Sequence, residues 1–138
     1  MWPKGPCMIQ TSNIHKTATQ IDEYWSPQVI GKLDDYYIKM AKLKGQLTWH
    51  SHAEQDELFL IIKGSLTMQY EDQTVTLKEG DVHIVPKGIE HNPIAEKECL
   101  VLLVEHASTL HTGDIVLPES KSVLQQLHQF QQVLKLSE

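Results

Sequence analysis

The chain has 138 residues, enough for one domain with a core of its own. Hydrophobic residues make up 41% and charged residues 22%, which excludes a disordered or fibrous chain. The formal net charge of -6 argues against nucleic acid or an anionic membrane as partner, because both demand basic surface.

The opening MWPKGPCMIQ lacks the apolar core of a signal peptide, and no stretch reaches the roughly 18 apolar residues of a membrane span. The cytoplasm is therefore the expected location. Either Met1 or Met8 can serve as the start. Residues 1–26 read as an N-terminal segment with one short helical turn around Thr17–Tyr24. Pro27 stops it, since proline disfavours helical geometry in the residue before it. Strand signals come next at Gln28–Leu33 and Tyr36–Leu43, joined by the tight turn Asp34-Asp35. Further strands are expected at Gln46–His52, Glu57–Lys63, Leu66–Tyr70, Thr74–Leu77, Asp81–Val85 and Cys99–Glu105. The only cysteines are Cys7 and Cys99, too few for a disulfide framework, and Cys99 opens an apolar run as a buried thiol.

Short strands at close spacing over residues 27–117 predict an all-β sandwich or barrel. Residues 118–138 read as a helical tail, with Ser120 as cap and Val123, Leu127, Phe130 and Leu134 at helical spacing. Two strands, Leu58–Ile62 and Leu100–Val104, are apolar at every position. Strand side chains alternate between two faces, so both faces need cover. The outer face must be covered by a second sheet, a terminal segment or another subunit, and a homodimer is expected.

His50-Ser51-His52 carries the chemistry. Residues two apart on a strand point the same way, so both imidazoles can converge. Glu57 comes after a short polar loop, and His91 after the turn Pro86-Lys87-Gly88. Imidazole and carboxylate suit Fe, Mn, Ni, Co, Cu or Zn. On its own, His-x-His is a weak signal, because surface histidines are often merely solvated and the chain has eight. Phe59 and Ile61 share the parity of Glu57, and Gln46 and Thr48 that of His50; these four are the expected pocket lining. Trp49 has the opposite parity and should pack away from the site. His83, Tyr37 and Glu54 are candidates for moving protons, with Lys39 a further neighbour. A solvated loop is the plainer reading of Glu54 and Asp56, as a surface position is of His106 and His111.

The glycines and prolines around these residues resemble the motifs of the cupin family. Gly45, His50, His52, Glu57 and Gly64 match its first motif, with one residue fewer than usual between Gly45 and His50. Gly80, Pro86, Gly88 and His91 match its second, with Ala95 where the family has asparagine. The resemblance implies a cupin-type double-stranded β-helix (jelly-roll) barrel that holds one divalent transition metal through His50, His52, Glu57 and His91. It also implies dimerisation. A metal ion so held suits a small oxygen-bearing ligand, in a dioxygenase or an isomerase/lyase; the alternative is a non-catalytic cupin that binds a small ligand or metal. A gene-regulatory module would need a DNA-binding helix pair or basic patch, and neither is visible.

Overall fold

The structure is a computed structural model and describes residues 9–108. The start at Met1 or Met8, the 117/118 boundary and the helical tail lie outside those residues. Asn13 opens the first element. Its side chain accepts from the backbone N–H groups of His15 and Lys16, both at 3.0 Å, and α1 runs over Ile14–Gln20. This cap starts the helix ahead of the expected turn at Thr17, and the helix ends before Tyr24.

Among the described residues seven strands follow: β1 Gln28–Leu33, β2 Tyr36–Gln46, β3 Glu57–Lys63, β4 Ser65–Tyr70, β5 Thr74–Lys78, β6 Val82–Val85 and β7 His91–His106. All pair antiparallel. The order is β1-β2-β7-β3-β6, with β4 joined to β7 and β5 to β4. The second half of β7 lies between β2 and β3, whereas its first half pairs with β4 and with the end of β2. Leu66, Met68, Leu77 and Ala95 from one side meet Ala41, Phe59, Ile61, Val85 and Val101 from the other in one buried cluster. The sheet thus folds over into two layers whose inner faces form the core.

Two expected strands are corrected. Gln46–His52 is not a strand: β2 runs on through Gln46, and residues 47–56 are irregular apart from a single bridge, His50 to His91. The cause is local. Gly45 has a φ of +82°, the register shifts between Leu43 and Gly45, and after that shift only Gly45 and Gln46 pair, with Ala95 and Ile94. Cys99–Glu105 is only the second half of β7. Pro93 and the exposed run Glu96-Lys97-Glu98 interrupt the apolar pattern and hide the first half.

The outer face of the sheet is partly covered by α1. Ile14, Ala18 and Ile21 pack with Met40, Leu100, Ile30 and Ile62. Beyond the helix, Leu58, Leu60, Leu102 and Val104 are half-buried, and Val82 and Ile84 on β6 are 61% and 54% exposed.

Two motif glycines differ in what surrounds them. Both Gly64 and Gly80 have φ of +87°, in the left-handed region. A Cβ on Gly64 would lie 2.8 Å from the Glu98 carbonyl oxygen, whereas one on Gly80 would meet nothing within 4 Å. Gly80→Ala should therefore cost about 1–2 kcal/mol, the left-handed penalty alone. Gly64→Ala should cost clearly more, because backbone must shift. Urea unfolding of the two variants checks this; equal losses would mean that the Gly64 contact is easily relaxed.

Candidate metal centre

His50 and His91 are tied to each other through the backbone: His50 N–H donates to the His91 carbonyl at 3.0 Å, and His91 N–H to the His50 carbonyl at 2.9 Å. His52 is held by its carbonyl, which accepts from Gly88 N–H at 2.7 Å. Glu57 opens β3 and faces inward. The four side chains are buried, none more than 3% exposed, and their donor atoms all lie within 4.8 Å of one another.

The hydrogen bonds fix which ring nitrogens are free. His50 Nδ1 lies 2.8 Å from the Thr48 carbonyl, and His91 Nδ1 2.8 Å from the Ile89 carbonyl. A carbonyl accepts only from N–H, so each Nδ1 carries the proton and each Nε2 keeps its lone pair. Nε2 of His52 and of His91 are buried with no hydrogen-bond partner. They stand 3.5 and 3.8 Å from the same Glu57 Oε1. Unpartnered buried polar atoms are costly. Converging nitrogen lone pairs and a carboxylate are a donor set that fits a divalent cation.

Charge is managed by burial and by neighbours. Burial, then the His91 charge, pushes His50 down to about 4. Burial alone would raise Glu57, but the neighbouring Glu105 carboxyl and the His52 and His91 imidazoles outweigh it and hold the carboxyl well below its ordinary range. Glu105 is pushed well above its ordinary range by burial, against the pull of Lys39 and with the charge of Glu57 adding to it. Glu105 and Glu57 are directly opposite on β7 and β3. Lys39 Nζ lies 2.8 Å from Glu105 Oε1, and both side chains are fully buried. That ion pair is close but lacks hydrogen-bond alignment.

The other sequence candidates scatter. His83 is half-buried on β6, with Nε2 2.6 Å from the Tyr70 hydroxyl. Tyr37 is buried opposite Glu105. Glu54 is exposed, and Asp56 accepts from Lys87 N–H at 2.9 Å. Phe59 lies on the wall of a cavity that touches His50 and Glu57. Ile61 is in the core, and Thr48 is half-buried. Gln46 is exposed, because residues 47–49 are irregular and strand parity does not carry from His50 back to it. Trp49 is 41% exposed rather than packed, since its segment is not a strand. Sequence reasoning missed Glu105, Tyr70 and Trp25. Glu105 left one signal: it is a charged residue at the inward parity of Val101 and Leu103.

The sequence model of the Cupin domain matches residues 37–105. The chain belongs to the cupin family. It is 30% identical over 100 residues to the uncharacterized protein YdbB of Bacillus subtilis, covering 72% of this chain and 88% of that one. A cupin-2 domain protein from Shewanella frigidimarina has a similar structure, with a TM-score of 0.68 and 37% identity over 69% of this cupin and 93% of that chain. The cupin is also 25% identical over 87 residues to 3-hydroxyanthranilate 3,4-dioxygenase 2 of Aspergillus fumigatus, which covers 59% of this chain and 45% of that enzyme. Among the described residues, no helix is long and apolar enough to cross a membrane.

The buried, neutral His50 makes the metal-free protein acid-sensitive. Its folded pKa of about 4 lies below its ordinary 6.5. Between those values the unfolded chain binds more protons, so this contribution is full above pH 6.5 and is lost as pH falls towards 4. The loss should be roughly 3 kcal/mol. Urea unfolding of chelator-treated protein at graded pH measures it, and His50→Asn should flatten the acid limb. An equally steep limb in that variant would assign the effect elsewhere.

Proposed function

We propose that this cupin binds one divalent transition metal through His50, His52, Glu57 and His91 and acts there on a small oxygen-bearing molecule. The observation that carries the reading is the buried donor set, two of whose nitrogens have no other partner. When bound, such an ion supplies Lewis acidity or, if it is iron, activation of dioxygen. The chain's own residues do the rest. The Thr48 and Ile89 carbonyls hold His50 and His91 in the tautomer that presents Nε2. Glu105 stands against Glu57, and apolar side chains line most of the small cavity beside it. His83 is the candidate for moving a proton, because its bond to Tyr70 Oη gives it a hydroxyl partner at the edge of a groove. Resemblance to a dioxygenase over less than half of that enzyme supports oxygen chemistry ahead of isomerisation or lysis. One observation favours the alternative, a non-catalytic cupin that holds metal or a small ligand: the cavity at the centre is only about 30 Å³. A cytoplasmic setting is part of the proposal, in keeping with a buried, unpaired Cys99.

Metal analysis of protein purified without chelators tests the reading. One divalent ion per chain is expected, with content collapsing in His52→Ala. Retention on dialysis should fall as pH drops through about 6, where protons compete for imidazole. Full metal content in His52→Ala would refute the four-ligand set. Bound iron with substrate-dependent oxygen uptake would favour the dioxygenase over the binding protein.

We also propose a homodimer. The support is an outer row that the described residues leave partly open, half-buried Leu58, Leu60, Leu102 and Val104 beside exposed Val82 and Ile84. Light scattering at micromolar concentration should give twice the mass of one chain. The mass of a single chain would overturn it and leave the cover to residues 109–138.

A further inference from the structure

The candidate metal centre is nearly closed. The cavity that touches His50 and Glu57 has about 30 Å³, room for one or two waters. Sites for organic ligands run roughly ten times larger or more. Most of its wall is carried by β2, β3 and β7 through Leu43, Phe59, Pro93 and Leu103. Leu47, just after β2, and Trp25 and Pro27, from the connection between α1 and β1, complete it. That connection is irregular; one bridge, Tyr24 to Lys42, ties it to the sheet.

Trp25 occupies this place against its backbone preference. Its φ is +57°, in the left-handed region, where bulky side chains are rare. Such strain persists only where the surroundings over-determine it, and it concentrates at ligand clamps. The bonds that impose it are few. Trp25 N–H donates to the Lys42 carbonyl at 2.9 Å, and Nε1–H to the Lys44 carbonyl at 2.8 Å. On either side, Lys42 Nζ donates to the Ile21 carbonyl at 2.9 Å, and the Tyr24 hydroxyl to Glu98 at 3.0 Å. Breaking the bonds of Tyr24 and Trp25 opens no ladder of the sheet, and lifting the indole removes the largest side chain of the cavity wall.

We propose that Trp25 is the gate of this cupin: residues 24–27 swing out to admit a ligand to the His50–Glu57 cavity, and the indole limits its size. The ligand class is a small planar molecule with two adjacent oxygen donors, since the wall is apolar and aromatic apart from the donor set itself. The inference rests on the metal-binding reading, so metal content is measured first; absence of metal in the native protein would overturn both. The probe is 4-nitrocatechol, whose visible absorption shifts on chelation, mixed by stopped flow with the zinc-loaded protein. In the native protein the observed rate should saturate with probe concentration, because gate opening becomes limiting. Trp25→Ala should keep its metal, lose the saturation and bind about tenfold faster or more, with Trp25→Phe between. Three results in metal-loaded protein would overturn the gate: a native rate that rises linearly without limit, equal rates in native and Trp25→Ala, or no probe binding to either. The saturation measurement needs no variant and stands even if Trp25→Ala fails to fold.

Discussion

One strand closing on itself organises this molecule. Drawn out straight, the 16 residues of β7 would span about 50 Å. Yet Glu57 meets both of its ends. His91, at the start, brings Nε2 to 3.8 Å from the Glu57 carboxylate, and Glu105, near the finish, is its ladder partner across β3. The strand must therefore bend, and it does so through exposed Glu96-Lys97-Glu98, where pairing passes from β4 to β2 and β3. Gly64 sits against the inside of that bend, with no room for a side chain beside the Glu98 carbonyl. Because β7 curls, donors from the irregular segment after β2, from β3 and from β7 itself can meet at one point.

The meeting point gathers more charge than a small barrel would hold without cause. Lys39 and Glu105 are fully buried beside Glu57, and taking three ionisable groups out of water costs more than their attraction returns unless the arrangement serves something else. Strand geometry explains how it is assembled. Glu105 faces Tyr37 on β2 and Glu57 on β3, and Lys39 lies two residues beyond Tyr37 on the same face. The two carboxyls behave differently: Glu105, His52 and His91 hold Glu57 in its charged form, while burial and the Glu57 charge push Glu105 towards its protonated one against the pull of Lys39. The centre keeps one anionic donor, turned towards His52 and His91, rather than two that repel each other.

The range of each interaction decides how much of it a sequence can reveal. Turn residues and alternation are local, so β1, β3 and β6 were legible within a residue or so. The four candidate ligands were legible because spacing within two motifs substitutes for distance. The first half of β7 was not, since Pro93 and three charged residues read as loop when the partner strand β4 is unseen. Gln46 departs from its expected place because parity is trustworthy only within a strand, and the irregular residues 47–49 separate it from His50. Trp25 gave no signal at all. It is set by a positive φ and two long-range carbonyl contacts, neither of which the string Tyr24-Trp25-Ser26-Pro27 announces.

The barrel has one seam that its ladders leave unstitched. β5 pairs only with β4, and β6 only with β3, so the two layers end in facing edges. Unpaired edges usually need protection. Here a side-chain bond does part of that work: Tyr70, at the end of β4, reaches His83 on β6 at 2.6 Å. Tyr70 is the ladder partner of His91, and His83 of Phe59, two residues after Glu57. Burial and the His91 charge lower His83, and burial and the Glu57 charge raise Tyr70. Both groups therefore feel the candidate metal centre while bordering a groove that also takes in Val75, Ile84 and Ile89. The fold's open edge and its second pair of proton-bearing groups coincide. That pair borders the groove at the unpaired seam, whereas Trp25 lies on the wall of a different cavity, the one that touches His50 and Glu57.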